Sequence, residues 1–168
     1  IVDSGEGIGH HLVRAEMRKT GVEKGIEITT LADIPSTGSG LGASSSVTVG
    51  LFNALYAYRG ELVTAETLAR EACDIEINIL RKPIGKQDQY IAAYGGVRFF
   101  QFKSNEEVGV ERINLDNSRK RTFGSNLLLF FTGKTRNANK ILDEQNENTV
   151  QKMEVLKRMK HHADEIRD

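Results

Sequence analysis

The stretch DIPSTGSGLGASSS, Asp33 to Ser46, decides how this chain is read. It turns at Pro35, passes three alternating glycines (Gly38, Gly40, Gly42), and ends in the hydroxyl block Ser44, Ser45 and Ser46. The apolar run VTVGLFNALYAY then follows. Glycine reaches positive φ without penalty and has no Cβ to hold a ligand away. Successive backbone N–H groups in such a loop can turn inward to form an anion-sized concavity. A helix starting there adds unpaired N–H groups and the positive end of its dipole. The hydroxyls can donate to an anion or coordinate a hard cation. This is the composition of a phosphate site.

Outward from the loop, the chain reads as an ordinary globular sequence. Its 168 residues allow one domain or one and a half, enough to bury a core. Lys and Arg number 23 and Asp and Glu 23, so no global charge draws it to nucleic acid or an anionic membrane. The single Cys73 cannot form an internal disulfide, which favours a reducing, cytoplasmic setting. No apolar run approaches bilayer-spanning length, and IVDSGEGIGHH does not have the pattern of a signal peptide. A chain starting at Ile1 and stopping at Asp168 within a helix-like segment is expected to be a piece of a longer protein.

The element pattern predicts α+β, with helices and strands alternating irregularly. A helix is expected over Ile8–Lys19 with Gly21 as its stop, and a strand over Ile26–Leu31. After the glycine loop come a buried helix, Ser46–Tyr58, and a helix over Ala65–Leu80 capped by Thr64 and broken at Lys82-Pro83. A short helix, Asp88–Tyr94, is closed by Gly95-Gly96. Val97–Phe102, Val108–Leu115 and Asn126–Phe131 read as strands, the last buried on both faces. Asn137–Arg167 is polar and helix-forming.

Two carboxylates stand out. On a helix over Ala65–Leu80, Leu68, Ala69, Ala72, Cys73, Ile75, Ile79 and Leu80 share one arc, and Glu76 falls in its middle. A buried carboxylate is costly unless it meets a cation or several donors. Three readings are open: a helix edge that reaches water, a buried pair with Lys or Arg, or a metal ligand or charge orienter. The glycine loop raises the third, because Mg²⁺ on phosphates takes one or two carboxylates. The second carboxylate is Asp88, in PIGKQDQYIAAYGG. It is either a helix N-cap or a group that accepts a proton from a hydroxyl, held ionised by the nearby Lys86.

Other motifs lose on context. Gly38-x-Gly40-x-x-Ala43 fits a dinucleotide fingerprint, but Glu61 lies between two helical segments rather than at a strand end. Gly133-Lys134-Thr135 would need a glycine at Leu128 to be a P-loop. The pairs His10-His11 and His161-His162 lack metal-site spacing.

IPSTGSGLGASSSVTVGLFNAL resembles the phosphate-binding motif of the GHMP small-molecule kinases, P-x-x-x-G-L-G-S-S, with Ala43 in place of the first serine of the pair. KPIGKQDQYIAAYGGVRFF is similar to the family segment that carries the catalytic aspartate, and NLLLFFTGKTRNANKIL to the first strand and helix of the C-terminal domain. GKQDQY, AAYGG and TGKTRNA look closest to the branch acting on D-glycero-D-manno-heptose 7-phosphate. The resemblance implies a GHMP-kinase-like N-terminal domain, a mixed sheet with helices, over residues 1–124. Residues 125–168 would then begin a ferredoxin-like C-terminal domain.

By position, the resemblance gives Gly38, Ser39, Gly40, Leu41, Gly42, Ala43, Ser44 and Ser45 to the ATP phosphates. It gives Ser44 and Glu76 to Mg²⁺, and Asp88 to the attacking hydroxyl. Lys86 would partner Asp88 or a substrate phosphate, and Arg136 would reach a substrate phosphate. The implied ligands are ATP, Mg²⁺ and a small sugar phosphate, with no nucleic acid or membrane partner. The family's N-terminal strand motif and glycine-rich C-terminal motif are not in this sequence, so the segment alone is expected to be weakly active or inactive. Two alternatives accompany this reading: a galactokinase- or fucokinase-like sugar kinase, or a non-catalytic nucleotide or sugar sensor of the same fold.

Overall fold

A computed structural model describes residues 7–33, 40–130, 142, 145 and 147–167. Gly38, Ser39 and Arg136, with most of the TGKTRNANKIL segment, lie outside the described residues. Residues 7–94 belong to one compact unit, and residues 95–130 and 147–167 to a second.

The first unit is helical. Helix α1 (His11–Thr20) starts where His10 Nδ1 accepts from Val13 N. It ends at Gly21, whose φ of +69° allows Gly21 N to bond Arg18 O and Val22 N to bond Met17 O. This is the left-handed stop that glycine supplies. Helix α2 (Ala43–Tyr58) begins three residues earlier than the expected Ser46, at the glycine loop itself. Thr64 Oγ1 accepts from Thr67 N to cap α3 (Ala65–Cys73), as its position predicts. Helix α4 (Gln87–Tyr94) closes the unit. Val49, Phe52 and Tyr56 of α2 bury against Leu68 and Ala72 of α3 and against Ile75. A second cluster joins Met17, Val22 and Leu55, with Ile26 and Ile28 packed on its rim.

The helix expected over Ala65–Leu80 changes form at Cys73. Asp74–Ile79 is π-helical, with Leu80 N bonded to Ile75 O and Lys82 N to Glu76 O. The wider turn breaks the regular angular step, so Ile79, placed on the apolar arc by periodicity, is exposed. Ile75 and Glu76 stay fully buried. Such π turns interrupt helices frequently at functional sites.

The second unit holds an antiparallel pair, β1 (Arg98–Phe102) and β2 (Val108–Arg112), in which Phe100 faces Val110 and Phe102 faces Val108. Helix α5 (Asn117–Ser125) follows, its Asp116 cap accepting from Arg119 N. In α6 (Met153–Arg167), the Arg167 guanidinium lies 4.8 Å from the Phe99 ring centre.

The class is α+β, but two expected strands are not strands. Ile26–Leu31 keeps the alternation of one, with Ile26 and Ile28 half-buried and Glu27, Thr29 and Leu31 exposed, yet no ladder forms there. Asn126–Phe130 is irregular, and Leu127, Leu128, Leu129 and Phe130 are all exposed. A strand needs a neighbour to take its N–H and C=O groups, and among the described residues only β1 and β2 supply that for each other. Strand β2 also stops at Arg112, short of the expected Leu115.

Candidate active site

The site forms where α2 starts. Gly40 and Gly42 have φ of +69° and +68°, a region costly for any residue with a Cβ. Gly42 is the N-cap of α2 and makes no side-chain cap bond, so the first N–H groups of the helix are left open to an anion. Leu41 is exposed beside them. Ala43, Ser44 and Ser45 form the first turn.

Glu76 reaches this turn from the π-helical run. Its Oε1 accepts from Ser44 Oγ at 2.7 Å and from Lys82 Nζ at 2.7 Å. Its Oε2 accepts from Ser45 Oγ at 2.8 Å and from Gln89 Nε2 at 2.7 Å. Lys82 Nζ also donates to Ser44 Oγ at 2.8 Å. Burial pushes the Glu76 carboxyl up, but the bonds from Lys82, Ser44 and Ser45 outweigh it and hold the group below the usual carboxylate range. Of the three readings that periodicity left open, the helix edge reaching water is excluded, because Glu76 is fully buried. The pair with a lysine is present.

Asp88 comes to the same place from the first turn of α4. A Cβ built on Gly42 would stand 3.5 Å from both Cγ and Oδ2 of Asp88, so the carboxylate lies directly against the helix cap. It is exposed, whereas its neighbour Gln89 is buried. Lys86 is half-buried just before α4, its carbonyl accepting from Tyr90 N. Its charge bears on Cys73, whose thiol burial nonetheless pushes up to about 12. The structure thus brings Gly40, Gly42, Ser44, Ser45, Glu76 and Asp88 to one end of α2. These residues fit a hard divalent cation: the Ser44 hydroxyl and the Glu76 carboxylate are oxygen donors 2.7 Å apart, and an ammonium already sits on both.

Residues 10–96 match the family model described as the GHMP kinases N terminal domain. The chain belongs to the GHMP kinases. This GHMP chain is 32% identical over 133 residues to a D-glycero-alpha-D-manno-heptose 7-phosphate kinase of Campylobacter jejuni, covering 76% of this chain and 39% of the relative. Among solved structures it resembles a D-glycero-D-manno-heptose 1-phosphate kinase from Bacteriodes thetaiotaomicron, with a TM-score of 0.60 and 32% identity. That match covers 65% of this chain and 37% of that one. The chain therefore spans about two fifths of the length of these relatives.

Two members of the cluster, and a third residue on which the charge of Glu76 bears, escape a reading of the sequence alone. Lys82 reads only as the residue before a helix-breaking proline, and Gln89 as one of several polar residues around Asp88. Glu16 is the third, fully buried on α1 with neither carboxylate oxygen bonded among the described residues. Burial, helped by the negative charge of Glu76, pushes its carboxyl up to about 9. Glu16 did carry a signal, since it lies four residues from both buried Leu12 and buried Thr20. That is the same anomaly that singles out Glu76.

Proposed function

We propose that the protein is an ATP-dependent sugar kinase that transfers the γ-phosphoryl group to the anomeric hydroxyl of D-glycero-D-manno-heptose 7-phosphate. The observation that carries this reading is the position of Asp88 against Gly42, at the helix tip where Ser44 meets Glu76. An acceptor alcohol beside Asp88 stands next to the anion-binding end of α2, the juxtaposition that phosphoryl transfer requires. The names of the two heptose phosphate kinases to which the chain is similar support a heptose phosphate acceptor, the 7-phosphate being named by the Campylobacter relative and a 1-phosphate by the solved structure.

In this mechanism, Gly40 and Gly42 let the loop approach the phosphate chain, and the N–H groups of Ala43, Ser44 and Ser45 bind its oxygens. The resemblance to the GHMP motif gives Gly38 and Ser39 to the same phosphates. Asp88 orients the sugar hydroxyl and takes its proton as the new P–O bond forms and the bond from the γ-phosphorus to the β–γ bridging oxygen breaks, with ADP leaving. Lys86 balances the charge of Asp88 or of the sugar phosphate. Ser44 and Glu76 would hold Mg²⁺, which would supply neutralisation of charge on the phosphates. Ser45 and Gln89 keep the Glu76 carboxylate turned to that task. The described part of this site lies in residues 40–89, and the proposed activity is that of the whole GHMP protein.

A coupled ADP-release assay of the whole protein on a sugar panel tests the proposal. Turnover is expected with heptose 7-phosphate and not with unphosphorylated galactose or fucose. The reverse preference would move the protein to a different GHMP sugar kinase. ATP binding without turnover on any sugar would make it a sensor.

A further inference from the structure

Four donors converge on Glu76, and a carboxylate offers about four lone-pair sites. Ser44, Ser45, Lys82 and Gln89 occupy them. A cation joining the Ser44–Glu76 pair must therefore displace a donor. Three of the donors are fixed: Ser44 and Ser45 belong to the first turn of α2, and Gln89 is fully buried on α4. Lys82 differs. It follows the π-helical run, reaches in along a long side chain, and is 25% exposed. Among the described residues its ammonium alone touches both Ser44 Oγ and Glu76 Oε1, at 2.8 and 2.7 Å, where a cation shared by those two groups has to stand.

We propose that Lys82 is the resident cation of this site. In the metal-free protein its ammonium neutralises buried Glu76 and holds the Ser44–Glu76 pair in position. When a divalent cation takes that place, the ammonium is released at the N-terminus of α2, where it attracts the phosphates of the incoming nucleotide. The exchange is one positive charge leaving the carboxylate as another arrives, so Glu76 is never left buried and bare, a state with a heavy desolvation penalty. This inference rests on the reading of Ser44 and Glu76 as metal ligands.

The test compares the protein with Lys82→Met, which keeps length and loses charge, using Mn²⁺ as probe in calorimetry and thermal melts. Without nucleotide, K82M is expected to bind Mn²⁺ at least tenfold more tightly than the wild type, because nothing competes for Glu76. Its metal-free melting temperature falls, and Mn²⁺ restores most of the loss. With ATP present the sign reverses, and K82M binds Mn·ATP more weakly. A lysine with only a structural role would shift both affinities in the same direction, and that result overturns the proposal. Should K82M not fold, amine labelling of the wild type at Lys82 decides. Saturating Mg²⁺ without nucleotide is expected to raise its rate at least threefold, and an unchanged rate refutes the exchange. Absence of Mn²⁺ binding to the wild type even with ATP would instead sink the metal-ligand reading of Ser44 and Glu76, and this proposal with it.

Discussion

Replacing Glu16 by Gln should stabilise the protein, and the gain should grow with pH. Glu16 is fully buried and unbonded among the described residues, and its carboxyl is raised from 4.5 to about 9. A group that binds its proton more tightly when folded costs nothing below its unfolded range. Above about 4.5 the unfolded chain loses the proton while the folded chain keeps it, so folding is progressively penalised until the folded group itself ionises near 9. At about 1.36 kcal/mol per pH unit, the wild type should lose on the order of 4 kcal/mol between pH 5 and pH 8 through this group alone. Glu16→Gln removes the titration, so its stability relative to wild type should climb by a similar amount over that range. Glu76 acts in the opposite sense and outside the window: with its pKa lowered, its contribution is complete above about 4.5 and is lost only as the solution turns more acid. Urea melts at pH 5, 6, 7 and 8 in EDTA measure the difference directly. Parallel profiles for the two proteins would show that Glu16 ionises freely in the folded state, and the argument from its burial would fail.

Other expectations follow from single contacts. Asp88→Asn should lower kcat at least about a hundredfold while leaving the Kd for ATP within a few-fold, and unchanged turnover would remove Asp88 from the chemistry. Gly42→Ala should cost about 1–2 kcal/mol through its φ of +68° alone, read from denaturant melts, and weaken ATP binding as the cap shifts. Glu66 accepts from the hydroxyls of Tyr90 and Tyr94, each at 3.0 Å, and so ties α4 to α3. Glu66→Ala should therefore lower unfolding free energy by about 1–3 kcal/mol, and a smaller effect would mean water replaces the carboxylate without loss.

Much of the site was legible because its signals are local. The Gly38–Ser46 run announces an anion site through backbone permissiveness alone. Glu76 announces itself by interrupting an apolar arc. Thr64 and Gly21 act where caps and stops are expected, because a cap depends on only three or four neighbouring residues. The failures are non-local. Ile26–Leu31 and Asn126–Phe130 have strand composition, but a ladder depends on a partner that composition does not reveal. The π-helical run was hidden because a fixed angular step cannot register an inserted residue, and Ile79 was placed on the wrong face for that reason. Lys82 was hidden for a third cause. Its partner Ser44 lies 38 positions away, and nothing in the residues around Pro83 points to that meeting.

In the proposed mechanism Ser44 and Glu76 act as one metal-binding unit beside Asp88. The most direct test is the Mg²⁺ dependence of turnover for the wild type, Ser44→Ala, Glu76→Gln and the double variant. Each single change should raise the half-saturating Mg²⁺ at least about tenfold, and the double variant should be little worse than the poorer single, as coupled ligands of one ion require. An unaltered metal titration in Glu76→Gln, or effects of the two changes that simply multiply, would contradict it.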